Sequence, residues 1–528
     1  MSVYLPFIEQ YLPLVLSQVD RDEDSPTYGC CDRNHWHLKI RDFSSAILQQ
    51  SALTLALAWS VPFKNSPYYQ NPKVKEWARA ALAYATQIQL KDGSFNEYYP
   101  WEHGFPPTAF CLFALCETYQ ILGIEDEKIL RMLVKAGRWL ARQNETQALN
   151  QEAAACAGLY TLSELVPDLW VKEAFNRKLT TLLSEQKADG FFSEYGGADI
   201  GYLSVTLDML SSYYFKSGDE KMRPILDKTV HFLSYFVHPD GTAGGAYGSR
   251  NTTYFLPGGV QVMASFGNEE AAFIKKTLYQ KAPKDSFLNG TDDRYWSHYL
   301  LHSFLRAFQK EQEFPDKKKP PFPFKPHRVF FEEAGLVSFQ NEAYRAIIGG
   351  KKGGVLKVFK ENRELFCDTG YRFKMGKKVA VTNWQDDAFI VHEKENTFEI
   401  TGVFNAVRPK VATPFLHMIL RGVSFFLGQR IIAFLKKQMI FSGHQTAVQF
   451  QRKVIFNPTE IEILDTIVAP FEITLKKAPV FSMRHVASGK FSTTTDLLPD
   501  DTLSLTFSGE KQIKTVWDIK KEQKDVAF

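Results

Sequence analysis

The feature that most constrains this chain is a recurrence. Polar, turn-rich loops return about every fifty residues, a spacing that fits one helical hairpin per repeat. They read "KDGSFNEYYPW" at Asp92, "RQNETQALNQE" at Asn144, "KADGFFSEYGG" at Asp189, "HPDGTAGGAYG" at Asp240 and "FLNGTDDRYWSH" at Asn289. "GCCDRNHWHLKIRD", around Asp32, is a looser first member set further off. Between the loops, apolar residues recur at three and four in "KEWARAALAYATQIQL" and "ILRMLVKAGRWLARQ", the mark of an amphipathic helix. Other segments, such as "PTAFCLFALCETYQIL" and "EAAACAGLYTLSEL", are apolar nearly all round. A helix without a polar face must be covered on every side. Six such inner helices inside six outer ones satisfy that demand. Residues 1–312 are therefore expected to form an N-terminal (α/α)6-type toroid whose loops meet at one end.

The pattern then changes. Residues 313–328, "EFPDKKKPPFPFKPHR", are proline-rich and basic without periodicity, and read as a linker. Beyond them "VLKVFK", "KKVAVTNW", "TFEITGVF", "AVQFQRKVIF" and "EIEILDTIVA" alternate with period two. Residues 329–520 are expected to form a C-terminal antiparallel β-sandwich, and 521–528 a polar tail. One stretch departs from the alternation: 413–441, "TPFLHMILRGVSFFLGQRIIAFLKKQMIF". It is helical in pattern, apolar, and carries Arg421, Arg430, Lys436 and Lys437. Nine residues place Arg421 and Arg430 on opposite faces of one continuous helix, and Gly422 or Gly428 can divide it. Its two arginines count against a membrane span. Two readings stand: an insert packed on the β domain, or a segment lying on an anionic membrane surface.

Composition narrows the partners. With 528 residues, 45% of them hydrophobic, the chain is long enough for two domains. A net charge of +4 gives no footprint for nucleic acid and suits an acidic small molecule or glycan. Six cysteines (Cys30, Cys31, Cys111, Cys116, Cys156 and Cys367) include no CxxC pair, so no metal or other cofactor is expected. The first residues show no basic region before an apolar core, so no export signal is expected and a cytoplasmic location is.

Converging loops would gather one polar crater. The first brings Arg33, Asn34, His35 and His37; the second Glu97, Tyr98, Tyr99, Trp101, Glu102 and His103. The third brings Asn150, Gln151 and Glu152; the fourth Glu194, Tyr195, Asp199 and Tyr202. The fifth brings Arg250, Asn251 and Tyr254; the sixth Asp292, Asp293, Arg294, Tyr295, Trp296 and His298. Flat rings suit a sugar face, amides and carboxylates suit hydroxyls, and Arg33, Arg250 or Arg294 suit a substrate carboxylate. Plainer roles compete. Asp92, Asp189 and Asp240 precede glycine and read as turn residues. Glu97 and Glu194 can cap inner helices, Trp101 and Trp296 can be wall packing, and Tyr202 can be core with a local hydrogen bond. His35 and His37 lack the carboxylate spacing of a metal site, and paired carboxylates also serve glycoside hydrolysis.

The pattern resembles the heparinase II/III-like polysaccharide lyases and the related uronate epimerases, which join an (α/α) toroid to a β-sandwich. "DGFFSEYGGADIGYLSVTLDML" is similar to the family's loop and the helix bearing its catalytic tyrosine, which implies that role for Tyr202. "ALNQEAAACAGLYTL" resembles the family's Asn-His segment, so Asn150 is expected at the uronate carboxylate, with Gln151 in place of the histidine. "KKGGVLKVFKENRELFCDTGYRF" resembles the start of the β domain, with Asp368 and Gly370 matching and the family's His-x-His missing near Lys351–Gly354.

The chemistry so implied removes the weakly acidic proton on C5 of a uronate. The carboxylate charge must be offset for the enolate-like state to form, a base must take the proton, and in a lyase an acid must protonate O4. Tyr202 is expected to do either, its pKa lowered by a neighbour such as Arg250. His35, His37, His103 and His298 are candidates for the second group. The leading expectation is β-elimination on an anionic, uronate-containing polysaccharide. The alternatives are C5 epimerisation, a carbohydrate-binding scaffold without catalysis, and glycoside hydrolysis.

Overall fold

The computed structural model describes residues 2–314, 325–408, 411–428, 430–431, 434–435, 443–478 and 503–527. Helices come first and strands after. The helices are α1 (Leu5–Leu16), α2 (Arg33–Trp36), α3 (Ser51–Ser60), α4 (Pro72–Ile88), α5 (Phe105–Leu122), α6 (Glu127–Leu140), α7 (Leu149–Leu165) and α8 (Leu169–Ser184). They continue with α9 (Ile200–Ser217), α10 (Met222–Ser234), α11 (Pro257–Ser265), α12 (Glu269–Tyr279), α13 (Asp293–Tyr295) and α14 (Leu301–Glu313). The inner helices α3, α5, α7, α9, α11 and α14 each contact the next, and α14 returns to α3 to close a ring. Outside it, α4, α6, α8, α10, α12 and α1 pack against the inner helices. This is the (α/α)6 toroid that the sequence pattern demands.

Local chemistry explains the register. In α6 the buried residues Ile129, Met132, Leu133, Ala136 and Leu140 form one stripe, and Asp126 caps the helix by accepting from the Lys128 and Ile129 amides at 2.8 and 3.2 Å. Such a cap contributes about 1 kcal/mol. The Asp-Gly turns are structural, as their spacing suggests. Gly93 and Gly190 take φ of +101° and +102°, and a Cβ on either would meet a carbonyl of the following outer helix at 2.4 Å. The repeated turn thus seats each loop against the next hairpin, which is why the loops share one end.

The strands form two antiparallel sheets. The first contains β1 (His327–Phe331), β2 (Leu336–Gln340), β3 (Arg345–Gly349), β4 (Val355–Lys360) and β5 (Arg363–Asp368) in sequence order. The second contains β6 (Tyr371–Met375), β7 (Lys378–Val381), β8 (Ile390–Lys394), β9 (Thr397–Val407), β10 (His444–Phe456), β11 (Glu460–Lys477), β12 (Ser504–Asp518) and β13 (Gln523–Ala527). β3 shows how the halves join. Its Ile348 belongs to the core between the sheets, whereas its Ile347 faces the toroid core. A strand buried on both faces needs apolar residues at every position, which "RAIIG" nearly supplies. Arg345 donates to the Tyr235 carbonyl at 2.5 Å and the Ala334 amide to Asp189 at 2.9 Å, across the same seam.

One stretch differs from expectation, and another keeps one of its two expected breaks. Residues 523–527, placed in a polar tail, pair with β12 as its edge strand. Within 413–441, α15 (Pro414–Leu427) runs straight through Gly422 and ends at Gly428, whose φ is +52°. Lys436 and Lys437 lie outside the described residues, as do 315–324 of the linker and the last residue of the tail.

Candidate active site

The third, fourth and fifth loops meet where the sequence places their polar residues, at the N-terminal ends of α7, α9 and α11. Asp199 caps α9, accepting from the Tyr202 amide at 3.1 Å. Its other oxygen accepts from the Arg250 amide at 3.0 Å, so one buried carboxylate ties the fourth loop to the fifth. Asn150 lies in the first turn of α7. Its amide nitrogen and its Nδ2 both donate to Glu194, each at 2.7 Å. Glu194 is wholly buried, and burial pushes its carboxyl well above the usual range. Both of its oxygens are taken by Asn150, in contrast to the substrate-binding role expected for it.

Beside this pair, Gln151 donates to the Tyr195 hydroxyl at 3.5 Å, and its Oε1 is buried without a partner among the described residues. The Arg250 guanidinium stacks 4.5 Å from the Tyr195 ring centre. Its Nε is likewise buried and unpartnered, and Arg250 forms no ion pair among the described residues. Tyr195 holds φ of +53°, which aims its ring under that cation.

Tyr202 is half-buried and edge-on to Tyr254 at 6.2 Å. The Tyr254 hydroxyl accepts from that of Tyr299 at 2.6 Å, and Tyr299 stacks on His298 at 4.2 Å. Burial first, then Tyr295, Tyr299 and Tyr195, push the Tyr202 phenol well above its usual pKa; Arg250 pulls the other way and loses. The expected lowering is thus reversed, because desolvation of the phenolate outweighs one cation. His298 is buried with both ring nitrogens unpartnered among the described residues, and burial together with Arg294 drives its pKa well below 6.5. The pair therefore rests as a neutral phenol and a neutral imidazole.

A π-helical turn, Trp296–Leu300, explains the sixth loop. It turns His298 and Tyr299 toward Tyr254 and sends Trp296 the other way. Trp296 is fully buried and stacks on Tyr11 at 3.6 Å, so it is core and not a sugar platform. Arg294 pairs with Glu97, each satisfying the other's charge, and lies 5.1 Å from the Tyr98 ring.

The first and second loops are similarly self-satisfied. His103 Nδ1 pairs with Asp92 at 2.7 Å; although burial opposes it, this contact and the Ser94 hydrogen bonds hold Asp92 down to about 2. His35 Nδ1 contacts the Arg41 carbonyl at 3.1 Å and Arg33 Nε the His37 ring at 3.3 Å, on α2 at the rim. No contact links these three to Tyr202 among the described residues. Trp101, exposed at the rim with φ of +60°, meets Phe425 of α15.

The β domain adds groups that the loop pattern does not reveal. Buried Lys352 donates to the Gly248 carbonyl at 3.0 Å and to Asn251 Oδ1 at 3.3 Å, so Asn251 is held from behind. Gln385 donates to the Gly196 carbonyl at 3.0 Å. Lys352 stands in the segment where the resembled family carries His-x-His. Asp368 is structural: despite burial, Arg452 and Lys477 hold its carboxyl far below the usual range, and it accepts from the Gly370 amide at 2.8 Å.

This architecture has known counterparts. Residues 66–260 match the family model of the ulvan lyase N-terminal domain. A Paenibacillus xanthan lyase superposes with a TM-score of 0.55 at 10% identity, over 90% of this chain and 46% of that one. A chondroitin AC lyase of Streptomyces coelicolor A3, solved with chondroitin sulphate, gives 0.55 at 10% identity, over 90% of this chain and 67% of that one. The fold is that of the toroid polysaccharide lyases. It agrees with the heparinase II/III-like resemblance of the sequence. The chain spans less than half of the xanthan lyase. No curated protein matches the sequence. In this fold the loop end gathers an arginine with no ion pair among the described residues, an oriented amide and neutral proton carriers.

Proposed function

We propose that the protein cleaves a uronate-containing anionic glycan by β-elimination. The observation that carries the reading is Arg250, a cation that forms no ion pair among the described residues, at the loop end that also holds the Glu194-anchored amide of Asn150. A substrate carboxylate supplies the missing charge. Held by Arg250 and Asn150, it can delocalise the electron pair left when C5 loses its proton. His298, neutral and unpartnered, is the group assigned to take that proton. As the C4–C5 double bond forms and the C4–O4 bond breaks, Tyr202 gives its phenolic proton to O4. Proton exchange with solvent then restores His298 and Tyr202. The upward-shifted phenol suits this acid role, since it carries its proton throughout the neutral range.

The test is incubation with a panel of uronate polysaccharides in deuterated water. Elimination gives an unsaturated, ultraviolet-absorbing product, and Tyr202→Phe loses about 10²- to 10⁴-fold in rate. Deuterium at C5 without cleavage would assign epimerisation instead. New reducing ends without unsaturation would assign hydrolysis, and binding alone a scaffold. The base role of His298 predicts activity that persists below the ordinary histidine range, because burial keeps the imidazole neutral there.

A further inference from the structure

We propose that α15 docks this protein onto an anionic membrane surface. The helix has two faces of opposite character. Arg421, Ser424 and Gly428, spaced at three and four, form the face turned to the toroid. Arg421 pairs with Asp42 at 2.5 and 2.9 Å, Ser424 is fully buried, and a Cβ on Gly428 would lie 3.2 Å from His103. Phe425 adds the contact to Trp101 at 5.2 Å. The other face carries Phe415, Met418, Ile419 and Phe426, spaced i, i+3, i+4 and i+11 across Gly422. Phe415 is 66% exposed, Met418 65% and Phe426 82%. A Cβ on Gly422 would meet nothing within 4 Å, so this stripe is open along its length.

The charge around the stripe selects its occupant. From Ile400 to Thr459 the sequence contains no aspartate or glutamate, while Arg408, Lys410, Arg421, Arg430, Lys436 and Lys437 flank or interrupt the apolar residues. Arg421 is spent on Asp42; the others carry no acidic neighbour in sequence. A second copy of the same stripe would bring like charges together. An anionic bilayer brings the opposite charge and accepts bulky rings at the headgroup boundary. No helix among the described residues is long and apolar enough to cross a membrane. The contact is therefore a surface one, with α15 lying in the plane. Because Asp42 and Trp101 belong to the crater's own loops, docking sets the crater rim beside the lipid headgroups. The proposal does not depend on the lyase reading.

Co-sedimentation of the full chain with vesicles tests it. Vesicles of phosphatidylcholine containing phosphatidylglycerol should bind the protein; phosphatidylcholine alone should bind it weakly, and high salt should release it. Met418→Glu with Phe426→Glu should lower partitioning by at least about tenfold, with the circular dichroism and thermal midpoint unchanged. Phe415→Glu alone gives a milder variant should the pair fail to fold. Absence of binding to anionic vesicles overturns the proposal, as does equal partitioning of native and variant proteins. A concentration-dependent dimer in light scattering that the variant abolishes also overturns it, and assigns the stripe to a second copy.

Discussion

The two sides of the crater are built from similar residues and end in opposite electrostatic states. On the side of the first, second and sixth loops, most of the polar groups have a protein partner: Arg41 with Asp32, His103 with Asp92, Arg294 with Glu97, and Arg421 with Asp42, while Arg33 meets only the His37 ring. On the side of the fourth and fifth loops, Arg250 rests on a tyrosine face and has no carboxylate partner among the described residues, although Glu194 lies in the adjoining loop. Glu194 is directed at Asn150 instead. The lesson is that an arginine's availability depends on where the nearest carboxylate points. Leaving one cation unpaired is costly unless a substrate completes it, which is how a binding site differs from a brace.

This contrast can be broken by experiment. The largest effect is expected at Arg250. Arg250→Ala should lower kcat/KM by about 10²- to 10³-fold, as for loss of a charge-stabilising donor, while urea unfolding stays near native. A large loss of stability with little kinetic change would make Arg250 a brace like the others. Next, Glu97→Ala strands Arg294, whose side chain is one-third exposed, and should cost about 1 kcal/mol in urea unfolding, with KM for any glycan unchanged. A rise in KM would bring the paired side into the substrate site.

Glu102 offers a finer probe of the paired side. Burial, then the charge of Glu97, pushes its carboxyl up to about 8 from an ordinary 4.5. The folded state thus binds more protons than the unfolded state between those values. Its contribution is complete below pH 4.5 and is lost as pH rises through about 8. Unfolding free energy should fall over this window with a slope of at most about 1.4 kcal/mol per pH unit, and Glu102→Gln should flatten it. Equal slopes in the two proteins would count against the assignment. The smallest effect belongs to the exposed Arg421–Asp42 pair. Arg421→Ala should change stability by about 0.5 kcal/mol; a shift of several kcal/mol would make α15 a strut and not an appendage.

Much of the fold was legible because burial imposes periodicity. α5 and α7 have no polar face, so only a ring of neighbours can cover them. Asp189-Gly190 and Asp92-Gly93 mark the turns through the positive φ that glycine tolerates. The positions of Asn150 and Tyr202 at the loop end were legible for the same reason, since both open inner helices just after a loop. His298 was named, but its register was hidden by the π-helical turn. That turn sends Trp296 into the core against Tyr11, where ordinary helical spacing would leave it beside the crater. Lys352 and Gln385 were not legible as crater residues. They reach it only because the β domain folds back onto the fifth and fourth loops.

The sequence by itself determined the ring of helices, the strands behind it and the end at which the loops gather, because apolar periodicity and turn chemistry act over a few residues. Only the tertiary structure decided which charges are spent and which are open. Glu97 meets Arg294 across 197 positions of chain, and Asn150 meets Glu194 across 44. Ionic pairing depends on distance and direction in space, and no local pattern carries that information.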